Sequence, residues 1–137
     1  MSEAVKYNNP SGLAKPLGAY SHVARARASE LVFIAGQVAV DEAGELVGKG
    51  DIAAQTRQAF DNLGRALRSE GLGFANVTKL TTFLAHPEAI EGFMAARKEI
   101  FPKLYPSGQY PPNTLLVIDR LVGEQFLIEI EAIAAVL

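Results

Sequence analysis

The sequence predicts an α+β domain in which two helices cover one face of a single sheet. Three observations carry this reading. Two stretches, 51–70 and 87–101, repeat apolar residues at helical spacing, and the remaining apolar runs are short and rich in Val, Ile, Phe and Thr. The elements follow in the order β-β-β-α-β-α-β-β, the third strand leading into a hairpin. At 137 residues, with no repeat and no internal linker, the chain reads as one domain, 1–137.

Each element has a local reason. Pro10, Gly12, Pro16 and Gly18 make the first nineteen residues mostly loop, with a short strand near Val5–Tyr7. Tyr20–Ala26 reads as a strand with Tyr20, His22, Ala24 and Ala26 on one face. Leu31–Gln37 is an apolar, buried strand, and Asp41–Gly44 carries the turn signal of a hairpin. In 51–70 the stripe is Ile52, Thr56, Ala59, Phe60, Leu63 and Leu67, with Asp51 as N-cap and Gly71 as the stop. Val77–Leu84 is a strand by its Thr, Val and Phe content.

Pro87 opens the second helix, whose face carries Ile90, Phe93, Met94, Arg97 and Phe101, and Pro102 and Pro106 bound it. Asn113–Val122 and Phe126–Val136 are the last strands, expected to pair antiparallel around Gly123. Two helices cover one sheet face, yet Leu31–Ala35 and Leu115–Ile118 are apolar in both phases. The second face therefore needs cover, and oligomerisation is the simplest source.

Composition excludes several kinds of chemistry. Hydrophobic residues are 49% and charged residues 20% of the chain, as in a globular domain. Thirteen Lys+Arg against fifteen Asp+Glu give a formal charge of −2, so no nucleic-acid partner is expected. The absence of cysteine removes disulfides, thiolate nucleophiles and Cys-ligated metals. His22 and His86 lie far apart in sequence without metal-ligand spacing, so no metal is expected and both read as surface or capping residues. There is no G-x-S-x-G elbow, and Gly71 and Gly73 follow a helix instead of opening one, which gives no phosphate loop. The start M-S-E-A-V-K lacks an apolar core and no run approaches membrane-spanning length, so a cytoplasmic address without membrane association is expected.

The last strand, F-L-I-E-I-E-A-I-A, holds Glu129 and Glu131 on one face, about 7 Å apart by strand rise. They read either as a half-solvated strand face or as a carboxylate entering a cleft, where it could move protons. Asn113 stands at the mouth of an apolar strand in Y-P-P-N-T-L-L-V and, by itself, reads as a strand cap.

The P-L-G-A-Y, I-A-G-Q-V and I-E-I-E-A-I-A segments, the A-A-Q-T-R-Q-A-F-D-N-L helix and the proline-led strand at 111–118 resemble the RidA/YjgF family in order and spacing, over about residues 4–136. The resemblance implies a chorismate-mutase-like fold, with a mixed six-stranded sheet and two helices on one face. It also implies a homotrimer with a central barrel and a ligand cleft at each subunit interface.

Archetypal members hydrolyse reactive enamines and imines without a cofactor. By resemblance, Glu129 is the catalytic, water-positioning glutamate, and Tyr20, Ala35, Gly36, Asn113 and Leu115 occupy the substrate-lining positions. Ala35 stands where archetypes carry serine, Leu115 where they carry cysteine, and Asn113 where they carry the arginine that clamps the substrate carboxylate. An amide offers one neutral donor in place of a bidentate ionic fork.

Arg120 falls in the opposite strand phase to Asn113. Arg97, which interrupts the apolar stripe of the second helix, reads either as a relocated cation or as a side chain snorkelling at the helix edge. Three functions follow from the resemblance. One is a cofactor-free deaminase or hydrolase of imine- or enamine-like metabolites with a range altered by Asn113. Another is a non-catalytic metabolite-binding or regulatory module whose ligand is a carboxylate or an imine. The third, an endoribonuclease, is opposed by the charge balance.

Overall fold

Residues 4–137 are described by a computed structural model. The elements run β1 (Lys6–Asn8), β2 (Val23–Arg25), β3 (Glu30–Gln37), α1 (Ile52–Ser69), β4 (Val77–Leu84), α2 (Ala89–Leu104), β5 (Asn113–Val117) and β6 (Ile128–Val136). Six strands form as expected, but they divide into an antiparallel β1–β2 ribbon and a four-stranded sheet of order β3-β6-β4-β5. The ribbon strands are three residues each, and the Tyr7 hydroxyl donates across to Val77 O at 2.9 Å.

α1 forms where its stripe requires. The Asp51 carboxylate accepts from Ala54 N at 3.1 Å, satisfying one of the unpaired N–H groups of the first turn. Gly71, at φ +71°, ends the helix in the left-handed region that glycine enters without Cβ strain, its N–H donating to Arg68 O. Gln55 is fully buried and fully used: its amide donates to Gly48 O and Gln125 O, and its carbonyl accepts from Leu127 N at 2.9 Å. This polar clasp fixes the chain that leads into β6.

Two expectations are corrected. β5 and β6 do not pair with each other, because β4 lies between them. α2 is the crossover of a β4-α2-β5 unit, so β5 runs parallel to β4 while β6 pairs antiparallel to it. Pro102 also does not bound α2, which continues to Leu104. So near the helix end, proline deletes only the bond toward the exposed Lys98.

The principal core lies between the helices and one sheet face, and includes Phe60, Leu63, Leu67, Leu80, Leu84, Phe93, Phe101, Ile128 and Ile130. A smaller cluster of Ala85, Leu121 and Phe126, with Phe83 and Leu46 against it, covers one end of the opposite face. The rest of that face is open, with Leu31 55% and Phe33 71% exposed.

Candidate functional site

Strand register decides which candidate side chains can meet. Asn113 pairs with Leu80 and Leu115 with Thr82, while Leu80 pairs with Ala132 and Thr82 with Ile130. These residues share the helix-covered face. Glu129 pairs with Phe83, which pairs with Leu116, placing Glu129 on the open face together with Glu131. Within one chain the candidates therefore form two groups on opposite sides of the sheet. A cleft holding both groups needs a second copy.

The open-face group centres on Glu129. Its side chain crosses to β3 beside Gly36, where the β3–β6 register shifts between Ile34 and Gln37. A Cβ at position 36 would stand 2.7 Å from Glu129 Cγ, so the carboxylate takes the space that glycine leaves empty. Neighbouring Ala35 is exposed and contributes no hydroxyl; its carbonyl accepts from Gln37 Nε2 at 3.1 Å.

The helix-side group is built from loops as well as strands. Asn113 Oδ1 accepts from the buried Thr82 hydroxyl at 2.9 Å, leaving the amide nitrogen as its donor end. Leu115 packs on the principal core. Ser21 N donates to Pro111 O, bringing the segment around Tyr20 against the start of β5. The Tyr20 hydroxyl accepts from Leu17 N at 3.2 Å, and its ring meets His22 edge-on at 5.8 Å. His22 Nε2 donates to Ala14 O at 2.7 Å, so this histidine holds a loop.

Arg120 is an exposed loop residue that donates to the carbonyls of Leu121 and Val122 and pairs with Glu124. Arg97 is different. It is 4% exposed, with its guanidinium carbon 5.1 Å from the Phe93 ring centre and 5.8 Å from that of Phe101. A snorkelling side chain would carry its charge to water; this one stays inside. Burial lowers its pKa, while Tyr20 and Tyr110 act in the opposite direction. Its sequence cue was the break in the α2 stripe.

Sequence reasoning missed Gly18 and Tyr110, the loop residues that frame Arg97. Together with Tyr20 they belong to the wall of a cavity of about 750 Å³ formed by the segments 7–21 and 108–110. The prolines and glycines of both segments marked them as loops, but spacing alone could not bring them together. Among the described residues no three His, Asp or Glu side chains gather into a metal site.

Known proteins share this architecture across nearly the whole chain. The family described as Endoribonuclease L-PSP matches residues 12–136. A RutC family protein of Pyrococcus horikoshii is 36% identical over 121 residues, 88% of this chain and 89% of its own length. The rat protein named 2-iminobutanoate/2-iminopropanoate deaminase is 33% identical over 86% of this chain and 80% of its own. Among solved structures, a Rid family protein of unknown function from Yersinia pestis superposes with a TM-score of 0.86 at 31% identity, covering 97% of this chain and 99% of that one. With these matches and two helices laid on a mixed sheet, the chain belongs to the RidA/YjgF family.

Proposed function

We propose that this chain assembles as a homotrimer and hydrolyses small imine- or enamine-like metabolites, without a cofactor, in clefts shared between copies. The observation that carries this reading is the Glu129 carboxylate seated over Gly36 on the open sheet face. Water adds across the C=N bond to give a carbinolamine, whose C–N bond then breaks to release ammonia and leave a carbonyl. Glu129 carries both water protons to the nitrogen in turn, the first as water attacks and the second from the carbinolamine hydroxyl as the C–N bond breaks, the work of a positioned carboxylate. Tyr20, Asn113 and Leu115 of one copy and Ala35, Gly36 and Glu129 of another line the cleft.

Two similarities support the chemistry: membership of a family with imine-deaminase members, and the rat deaminase's 33% identity. The family description also names an endoribonuclease, but a formal charge of −2 supplies no concentrated basic surface for a phosphate backbone. One observation favours a second reading, a binding module without turnover. Asn113 offers a neutral amide, with its oxygen already engaged by Thr82.

A coupled assay of ammonia release from freshly generated 2-iminopropanoate separates the two. Wild type is expected to accelerate hydrolysis and Glu129→Gln to lose about 10²-fold or more of that rate, the usual scale for a general acid–base group. Equal rates for the two proteins, at matched fold and assembly, would remove Glu129 from the chemistry. No acceleration by wild type, with ligand binding intact, would establish the binding module.

A further inference from the structure

We infer that the cavity between the segments 7–21 and 108–110 is a binding site for an uncharged aromatic molecule with a hydrogen-bonding group on its ring, anchored by Ser21. A single chain builds this site. Its wall includes Tyr20 but none of Ala35, Gly36, Asn113, Leu115 and Glu129, so it lies beyond the proposed hydrolase cleft and does not depend on that reading.

The anchor is an unpaired polar group. Ser21 is 6% exposed and is the most buried residue of the wall. Its backbone N–H donates to Pro111 O at 3.4 Å, whereas its hydroxyl has no hydrogen-bond partner among the described residues. Leaving a buried hydroxyl unpaired is unfavourable, and a ligand atom that bonds to it removes that penalty. The hydroxyl can donate and accept at once. Asn9 adds a donor nearer the rim: its Oδ1 accepts from His22 N at 2.8 Å, which leaves the amide nitrogen available.

The walls are aromatic rings already held in place. Tyr7 donates its hydroxyl to Val77 O at 2.9 Å, and the Tyr20 hydroxyl accepts from Leu17 N at 3.2 Å. Tyr110 lies against Phe101 with ring centres 5.4 Å apart, and meets Tyr105 edge-on at 6.0 Å. All three rings are ordered before anything binds, which lowers the entropic cost of packing a flat partner among them. Charge narrows the ligand further. Among the described residues the wall carries no Asp or Glu, and its one charged side chain, Lys15, is exposed. A carboxylate or ammonium carried to the depth of Ser21 would find no opposite charge in the buried part of the wall. The volume of about 750 Å³ falls within the range of small-molecule sites, roughly 300–1,000 Å³.

The experiment titrates the full chain with 4-hydroxybenzamide and with benzamide, which lacks the ring hydroxyl, followed by ligand-observed NMR. Wild type is expected to bind both and to prefer 4-hydroxybenzamide. Ser21→Ala should weaken 4-hydroxybenzamide about three- to tenfold, the scale of one neutral hydrogen bond, and leave benzamide within twofold. Ser11 is an exposed residue of the wall, so Ser11→Trp should keep the fold by circular dichroism while its indole fills the cavity and abolishes binding of both probes. Phe33→Glu, on the open sheet face, should bind both probes as wild type does, because one chain completes the site.

No saturable binding of either probe by wild type would overturn the inference. So would wild-type affinities in both Ser21→Ala and Ser11→Trp, which would place the probes elsewhere. Loss of binding in a folded Phe33→Glu protein would overturn it as well, by showing that the probes sit between copies. None of these outcomes bears on imine hydrolysis, whose test rests on Glu129.

Discussion

Single side chains decide what this fold can do chemically, and Gly36 is the sharpest case. It is the floor on which Glu129 rests, and a methyl group there meets Glu129 Cγ at 2.7 Å. Gly36→Ala is therefore expected to displace the carboxylate, lowering imine hydrolysis toward the level of Glu129→Gln and costing about 1–3 kcal/mol of stability by overpacking. Urea midpoints check the second effect, and Gly36→Ala combined with Glu129→Ala should recover most of the loss because the clash partner is gone. An undiminished rate in Gly36→Ala would show that this seat does not matter to catalysis. The sequence showed that Glu129 and Glu131 share a face, because strand alternation is local. It could not show that Asn113 points the other way, since that depends on β4 registering both strands. For Arg97 the cue was local and the answer was not. The broken stripe is visible in the chain, whereas its enclosure depends on Gly18, Tyr20 and Tyr110, distant in sequence.

At the scale of elements, helices were the most legible parts. Asp51, the stripe through Leu67 and Gly71 delimit α1 within a residue at each end, because helical bonds and caps are made within the segment itself. Strand partners were not legible. A glycine between β5 and β6 resembles a hairpin signal, but the α2 crossover makes β4 the neighbour of β5. The β1–β2 ribbon depends on a link of the same long-range kind, from the Tyr7 hydroxyl to Val77 O. Burial raises the Tyr7 pKa from 10.0 to about 12. The folded state thus holds this proton more tightly than the unfolded chain does. The stabilisation is complete below pH 10 and is lost as pH rises through about 12. Urea midpoints from pH 8 to 12 are expected to fall at the alkaline end. Tyr7→Phe should flatten part of that fall and lose about 0.5–1.5 kcal/mol at neutral pH with the hydrogen bond. Identical alkaline slopes in both proteins would assign the fall to other tyrosines, Tyr105 first, whose buried hydroxyl also has its pKa raised by desolvation.

The whole molecule is asymmetric: one sheet face is sealed by α1 and α2, while the other keeps Leu31, Phe33 and Leu116 in water. Register places these three on the same side as Ile133 and Glu129, so the exposed apolar patch and the proposed catalytic carboxylate share a surface. Burying about 100 Å² of apolar surface per large side chain in an assembly contributes on the order of 2.5 kcal/mol before association costs. Three or more such residues per copy give a patch that a monomer would rarely expose. The proposed site residues are split between the two sheet faces, so the proposed cleft also calls for a second copy to bring its Glu129 to the Tyr20–Asn113 side. Assembly and activity should therefore fail together. Phe33→Glu, at a position 71% exposed and remote from the principal core, is expected to leave the subunit folded by circular dichroism while lowering the mass seen by light scattering from trimer toward monomer. Imine hydrolysis should fall with it, and at concentrations high enough to restore the trimer the rate should return, since no proposed cleft residue has been changed. A trimeric Phe33→Glu protein would place the interface elsewhere. A monomeric one with the full rate would show that a single chain completes the site.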